Sequence, residues 1–344
     1  MEELSERERS ILRYIIQQFI LTATPVGSRN ITKKYDIGVS PATVRNIMSD
    51  LEESGFIDHP HTSAGRTPTD KGYRFYVDSL MNIQKLRISE KGIIDKELPG
   101  ITTDTSEMLK IASTLLSSIT RQLAYISYPK FDSGILQKIQ IIQLSSTKIL
   151  IIISITSGLV KTITLEINSE INAKQIESVQ QILNERLSGL ALKEIRNTFS
   201  QRLKDFDDDN TSIVRLFFDS VDKIFSDITE KENIFITGAK NVIRHPEFEN
   251  PERFQSIIEL IEDKDIIIHI MEKLNEDDRV FISIGSENEN KKLEDYSFIS
   301  KEYKYGDISG TLGIIGPKRM EYSKIVAIVD YLSRILTDIF KNEN

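Results

Sequence analysis

Apolar positions in the first fifty residues recur with the period of a helix, and polar punctuation divides them into three pieces. Ile11, Leu12, Ile15, Ile16, Phe19 and Ile20 mark one helix. Ser5 opens it, and it closes before Thr24-Pro25, because a residue preceding proline is driven out of the helical region. Ser28 is expected to cap a short second helix bearing Ile31 and Tyr35, and Ile37-Gly38-Val39 makes a turn. Ser40-Pro41 opens a third helix: the serine can cap orphan N–H groups, and proline suits the first helical position, where its missing donor is no loss. Val44, Ile47, Met48 and Leu51 fall at i, i+3, i+4, i+7 and form one apolar stripe, which Gly55 ends. A strand-like piece, Phe56 to Asp58, and a Gly/Pro/Ser-rich tip carrying Arg66 follow. Thr69 then caps a helix through Tyr73, Phe75, Tyr76, Val77 and Leu80. Three helices followed by a basic hairpin is the order of a winged helix-turn-helix, although a generic three-helix bundle shares the periodicity.

Beyond this segment the pattern changes. Residues 87–105 are weakly patterned, hold Gly92, Pro99 and Gly100, and read as a linker. Asp104 begins a helix with Met108, Ala112, Leu115, Leu116, Ile119 and Leu123 on one face. The runs 137–145, 148–155 and 159–167 are β-branched, broken by Ser145-Ser146 and Ser157-Gly158, and predict an antiparallel meander. Residues 172–227 read as helix interrupted at Ser188-Gly189 and by the acidic 205–209. Ile234 to Ile236 is a short strand, and His245-Pro246 leads into further helix with Phe254, Ile257, Ile258 and Ile261. Strands are predicted at 280–284, 296–303 and 311–315, before a last helix from Ile325 to Ile339. The fold class expected is α+β.

Composition narrows the chemistry. The 344 residues exceed one ordinary domain, and 39% apolar with 28% charged residues is a globular composition. The longest apolar run, 149–155, is far short of a membrane span, and the charged N-terminus lacks a signal-peptide core, so a cytoplasmic protein is expected. The absence of cysteine removes disulfides, thiolate metal sites and a Cys nucleophile. His59 and His61 flank Pro60 while His245 and His269 are isolated, and no H-E-x-x-H spacing occurs, so no metal is expected. Gly310, Gly313 and Gly316 fit neither phosphate-loop pattern and read instead as a tight hairpin beside a packed strand. No nucleophile–base constellation stands out, and neither an enzyme nor a cofactor is expected.

Net charge is −8, and the first 78 residues alone hold ten basic against eleven acidic residues. Between Ser28 and Asn46, however, Arg29, Lys33, Lys34 and Arg45 face Asp36 alone. A nucleic-acid footprint would therefore be a focused patch. The residues expected against DNA are Ser40, Pro41, Thr43, Val44, Arg45, Asn46 and Ser49 of the third helix. Ser28, Arg29 and Lys33 lie ahead of it, and Ser63, Gly65, Arg66, Thr67, Lys71 and Arg74 lie in and after the wing. Arg45 and Asn46 suit bidentate contacts to guanine and adenine, and Thr43 suits a thymine methyl. Ser40 and the helix N-terminus suit a phosphate, and Arg66 suits a minor groove or the backbone.

Several motifs resemble one family. SPATVRNIM (40–48), LEESG (51–55), TSAGRTPTDKGYRFYVD (62–78), IGSEN (284–288) and GTLGIIGPKRMEY (310–322) are similar to motifs of the HrcA family of bacterial heat-inducible transcription repressors. Lys318 stands where the family pattern leads one to expect threonine, and Glu321 where it leads one to expect aspartate. The resemblance implies a winged helix at 1–80, a linker at 81–103, a GAF-like domain from 104–134 and 230–344, and an inserted dimerisation domain at 135–229. It also implies a homodimer that represses chaperone operons through an inverted-repeat operator, kept active by the chaperonin GroEL. The alternative is a winged-helix regulator set by a small ligand in the GAF-like domain, with IGSEN and the GIIGP turn lining its pocket.

Overall fold

The computed structural model describes residues 4–35, 37–60, 65–98, 104–167, 172–204, 211–226, 234–272 and 279–342. Three helices come first: α1 (Glu6–Thr22), α2 (Ser28–Lys34) and α3 (Pro41–Glu53). Ser5 and Glu8 form a reciprocal capping box at the start of α1. Gly27, not Ser28, holds the cap position of α2, and no side chain caps it. Strands β1 (Ile57–Asp58) and β2 (Thr67–Pro68) pair antiparallel, Ile57 with Pro68 and Asp58 with Thr67. Helix α4 (Asp70–Phe75) is capped by the Thr69 hydroxyl and runs into a π-helical turn, Tyr76–Leu80.

The stretch read as a linker carries helix α5 (Ile88–Glu97). Helix α6 (Thr105–Thr120) is capped by Asp104, and it does not reach Leu123 as the periodicity predicts. Arg121 turns left-handed at φ 57°, and β3 (Leu123–Ser127) follows, buried at every residue. The meander is present as β4 (Leu136–Ser145), β5 (Lys148–Ile155) and β6 (Val160–Glu166). Helices α7 (Ala173–Leu187), α8 (Leu192–Arg202), α9 (Thr211–Asp219) and α10 (Val221–Phe225) come next. Then come β7 (Ile234–Thr237), α11 (Ala239–Val242), α12 (Pro251–Glu262), α13 (Lys264–Glu272) and β8 (Phe281–Ile284). The chain closes with β9 (Tyr296–Tyr305), β10 (Ile308–Pro317) and α14 (Tyr322–Asn342). The class is α+β, and among the described residues no helix is long and apolar enough to cross a membrane.

Two compact units result. The first comprises 1–126, 235–301 and 312–333; the second comprises 127–234, 302–311 and 334–344. In the first, a five-stranded sheet is ordered β7-β3-β10-β9-β8, with Tyr125 opposite Gly313 and Ile282 opposite Ile299. Gly313 lies within a strand rather than in the hairpin expected: a Cβ there would come within 2.7 Å of the Tyr125 ring and of the Ile299 carbonyl. The reason is close packing of a tyrosine over the backbone. In the second unit the β4-β5-β6 sheet buries the isoleucines of one face. The Asn184 side-chain amide, on α7, brackets the Ile139 backbone, accepting its N–H and donating to its carbonyl at 2.8 Å each, and the Gln180 Oε1 accepts the Ile141 N–H at 2.7 Å. These side chains satisfy backbone groups on the edge of β4 that faces away from β5 in the sheet.

Candidate nucleic-acid interface

The third helix divides sharply into two faces. Ser40 holds an extended φ of −71°, and its Oγ accepts the Thr43 N–H at 3.2 Å, with Pro41 in the first turn. Val44, Met48 and Leu51 are buried, while Pro41, Arg45, Asn46 and Ser49 are exposed. Val44 was expected at DNA, but it is fully buried and serves the core, as its place in the apolar stripe requires. The half-buried Thr43 has its hydroxyl 3.0 Å from the Ser40 Oγ. Arg45 and Asn46 have no side-chain partner among the described residues, and neither do the exposed Arg29 and Lys33, one turn apart on α2. Ser28 is half-buried beside them.

The cations of residues 66–74 are disposed differently. Ser63 lies outside the described residues. Arg66 was expected at an open tip, yet its backbone forms a bridge with Val26, N–H to O at 2.8 and 2.9 Å in the two directions. Its guanidinium meets Glu52 of α3 at 2.7 Å, with only 19% of the side chain exposed. Gly65 is demanded by this approach, because a Cβ would stand 2.4 Å from the Val26 carbonyl carbon. Thr67 is half-buried in β2. Lys71 donates to the Ser54 carbonyl at 2.8 Å and lies 4.5 Å above the Phe56 ring, a cation at the C-terminal end of α3. Arg74 grips Glu287 with two donors, at 2.7 and 2.5 Å, and also donates to the Ile282 carbonyl and Asp78. Its positive form is further stabilised by Glu287, against the opposing effect of burial. Arg66 and Arg74 thus brace the helices rather than standing open, and Lys71, though exposed, is tied to the end of α3.

Pattern reading also missed the acids that these segments engage. Asp70 lies 2.7 Å from the Lys318 ammonium and accepts the Ser286 N–H at 2.9 Å. Burial opposes its charge, but these partners outweigh it and hold the carboxyl below its ordinary value. Glu247 is likewise buried enough to resist ionisation, yet Arg319, donating at 2.5 Å, keeps it low. The IGSEN turn is filled by its own contacts. The Asn288 amide donates to the Gly285, Leu293 and Tyr296 carbonyls and accepts from the Ser283 hydroxyl at 2.6 Å. Among the described residues no group of three or more His, Asp or Glu is placed to hold a metal.

The family model for the HrcA protein C-terminal domain matches residues 106–326. The heat-inducible transcription repressor HrcA of Chlorobium phaeobacteroides (strain BS1) is 40% identical over 341 residues, covering 96% of this chain and 97% of its own. That of Prosthecochloris aestuarii (strain DSM 271 / SK 413) is 40% identical over 352 residues, covering 99% of each. A crystal structure of a hypothetical protein at 2.2 Å resolution shares the fold, with a TM-score of 0.60 and 23% identity over 99% of this chain and all of the other. On the identity shared along nearly its whole length, the chain belongs to the HrcA family, whose named members are heat-inducible transcription repressors.

Proposed function

We propose that the chain represses heat-shock chaperone operons by binding an inverted-repeat operator as a homodimer. In this reading the segment from α1 to the π-helical turn is a winged helix, α3 is its recognition helix, and the five-stranded sheet with its helices is the GAF-like domain. Residues 135–229 form the inserted dimerisation domain. The observation that carries the reading is the divided surface of α3. One face is fully packed, while the other offers Arg45, Asn46 and Ser49, and α2 adds Arg29 and Lys33. Cations and amides left without a partner at a helix face are what base edges and phosphates require. A two-fold dimer would set two such helices on successive major-groove faces of a palindrome. Footprinting on DNA upstream of the organism's chaperone genes tests this. Symmetric protection of an inverted repeat is expected, and protection of a single unrepeated site would reject the dimeric reading.

Control by GroEL fits the sheet order. Strands β3 and β10 are neighbours drawn from opposite ends of the fold's sequence, Ile126 beside Leu312. Such distant pairing forms slowly and leaves apolar strands exposed meanwhile. Operator affinity recovered after refolding should rise when the chaperonin is present, and equal recovery would reject its role. A ligand-controlled regulator is the second reading. A cleft of about 460 Å³ lined by Arg13, Tyr14, Tyr35, Tyr322 and Lys324 offers space for a ligand. A metabolite that raises both melting temperature and operator affinity would favour it.

A further inference from the structure

Three motifs that lie far apart in sequence meet in one cluster of ion pairs. Arg74 takes Glu287 in a two-point grip, Asp70 takes Lys318 and the Ser286 N–H, and Arg319 takes Glu247 while donating to the Ile20 carbonyl at 2.5 Å. The Tyr73 and Tyr322 rings lie between them, 5.9 Å apart. Gly285 at φ 53° admits the Asp70 carboxylate where a Cβ would sit 2.3 Å from it. Cations and carboxylates balance, so the cluster offers DNA no net attraction, and Arg74 would have to abandon Glu287 to reach a phosphate. Its three ties grip the reading segment at separate points: the last turn of α1, the start of α4 and the end of α4. Three separate points are what is needed to fix the orientation of one body on another.

We propose that Asp70, Arg74, Glu247, Glu287, Lys318 and Arg319 are positioning residues for operator reading. The clamp holds the reading segment at one angle on the sheet that follows it, and thereby sets the spacing at which two copies of α3 meet two half-sites. This rests on the dimeric repressor reading above. Two-site binding gains affinity only when geometry allows both sites to engage together. The clamp therefore acts on the paired operator and not on a single half-site.

The test uses the full chain with Glu287→Gln, which keeps the side-chain shape, and Lys318→Thr, at a partly exposed position. Affinity is measured for the footprinted operator, for an isolated half-site duplex, and for operators with spacers changed by about one or two base pairs. Wild type should bind one spacer best. Each variant should lose about tenfold on that operator, keep its half-site affinity within about twofold, and bind the altered spacers with a flatter preference. Equal loss on half-site and operator would overturn the proposal, as would an unchanged spacer profile or tighter operator binding by the variants. If wild type binds half-sites yet prefers no spacer, the clamp fails while DNA reading stands. If it binds no inverted repeat, both fall together.

Discussion

Val44 and Arg45 are neighbours on α3 whose substitutions should separate folding from recognition. Val44 is fully buried. Replacing it with alanine removes two methyl groups, worth about 0.8 kcal/mol each in transfer, and leaves a small cavity, for a total of about 2 kcal/mol. Arg45 is exposed and has no partner among the described residues. Arg45→Ala should change stability by no more than about 0.5 kcal/mol. If its guanidinium reads a base, its loss removes roughly 1–3 kcal/mol per half-site, or about 5- to 150-fold. Fluorescence anisotropy with an operator half-site and a scrambled duplex, alongside thermal melting, measures both quantities. The expected result is a lower melting temperature for Val44→Ala with recognition preserved in the folded fraction. Arg45→Ala should show the reverse, with weak binding to the half-site and little change on scrambled DNA. Equal loss on both duplexes, with a salt dependence shallower by about one ion, would move Arg45 to a phosphate. A melting temperature reduced as far as that of Val44→Ala would refute the reading of a free surface side chain.

Acid should loosen the clamp. Asp70 and Glu247 are both held below their ordinary values of 3.8 and 4.5, so they add stability above those values and lose it as pH falls through the lowered ones. Melting temperature should therefore drop below about pH 4.5, and Asp70→Asn with Glu247→Gln should flatten that acid limb; an unchanged slope would place the acid sensitivity elsewhere. Asn288→Ala removes a buried amide shared by three carbonyls and should cost about 2–4 kcal/mol in unfolding experiments; a cost below about 0.5 kcal/mol would show the turn held by other contacts.

Elements built from local rules were legible before folding. The Ser5 and Ser40 caps and the period-3.6 stripes mark α1 and α3, and the β-branched runs between turn residues mark β4 to β6. Strand β3 was not legible. Leu123 to Ser127 is buried at every position, so it shows no alternation, and Leu123 extends the helical period of α6 by chance. Its identity as a strand comes from pairing with β10, which no local window contains. Residues 66–74 were legible as a basic segment, but Glu52, the Ser54 carbonyl and Glu287 decide where Arg66, Lys71 and Arg74 go.

By itself, then, the chain's residue order determined its caps, periods and turns, the motifs that tie it to its family, and the polar face of α3, because each depends on neighbours within a few residues. Only the tertiary structure decided which charges stay open. A cation's partner is chosen by distance in space, and Glu287 stands beside Arg74 only after the chain has returned across more than two hundred residues. That return draws Arg74 into the frame, as the nearer Glu52 draws Arg66, while Arg29, Lys33, Arg45 and Asn46 are left without side-chain partners among the described residues.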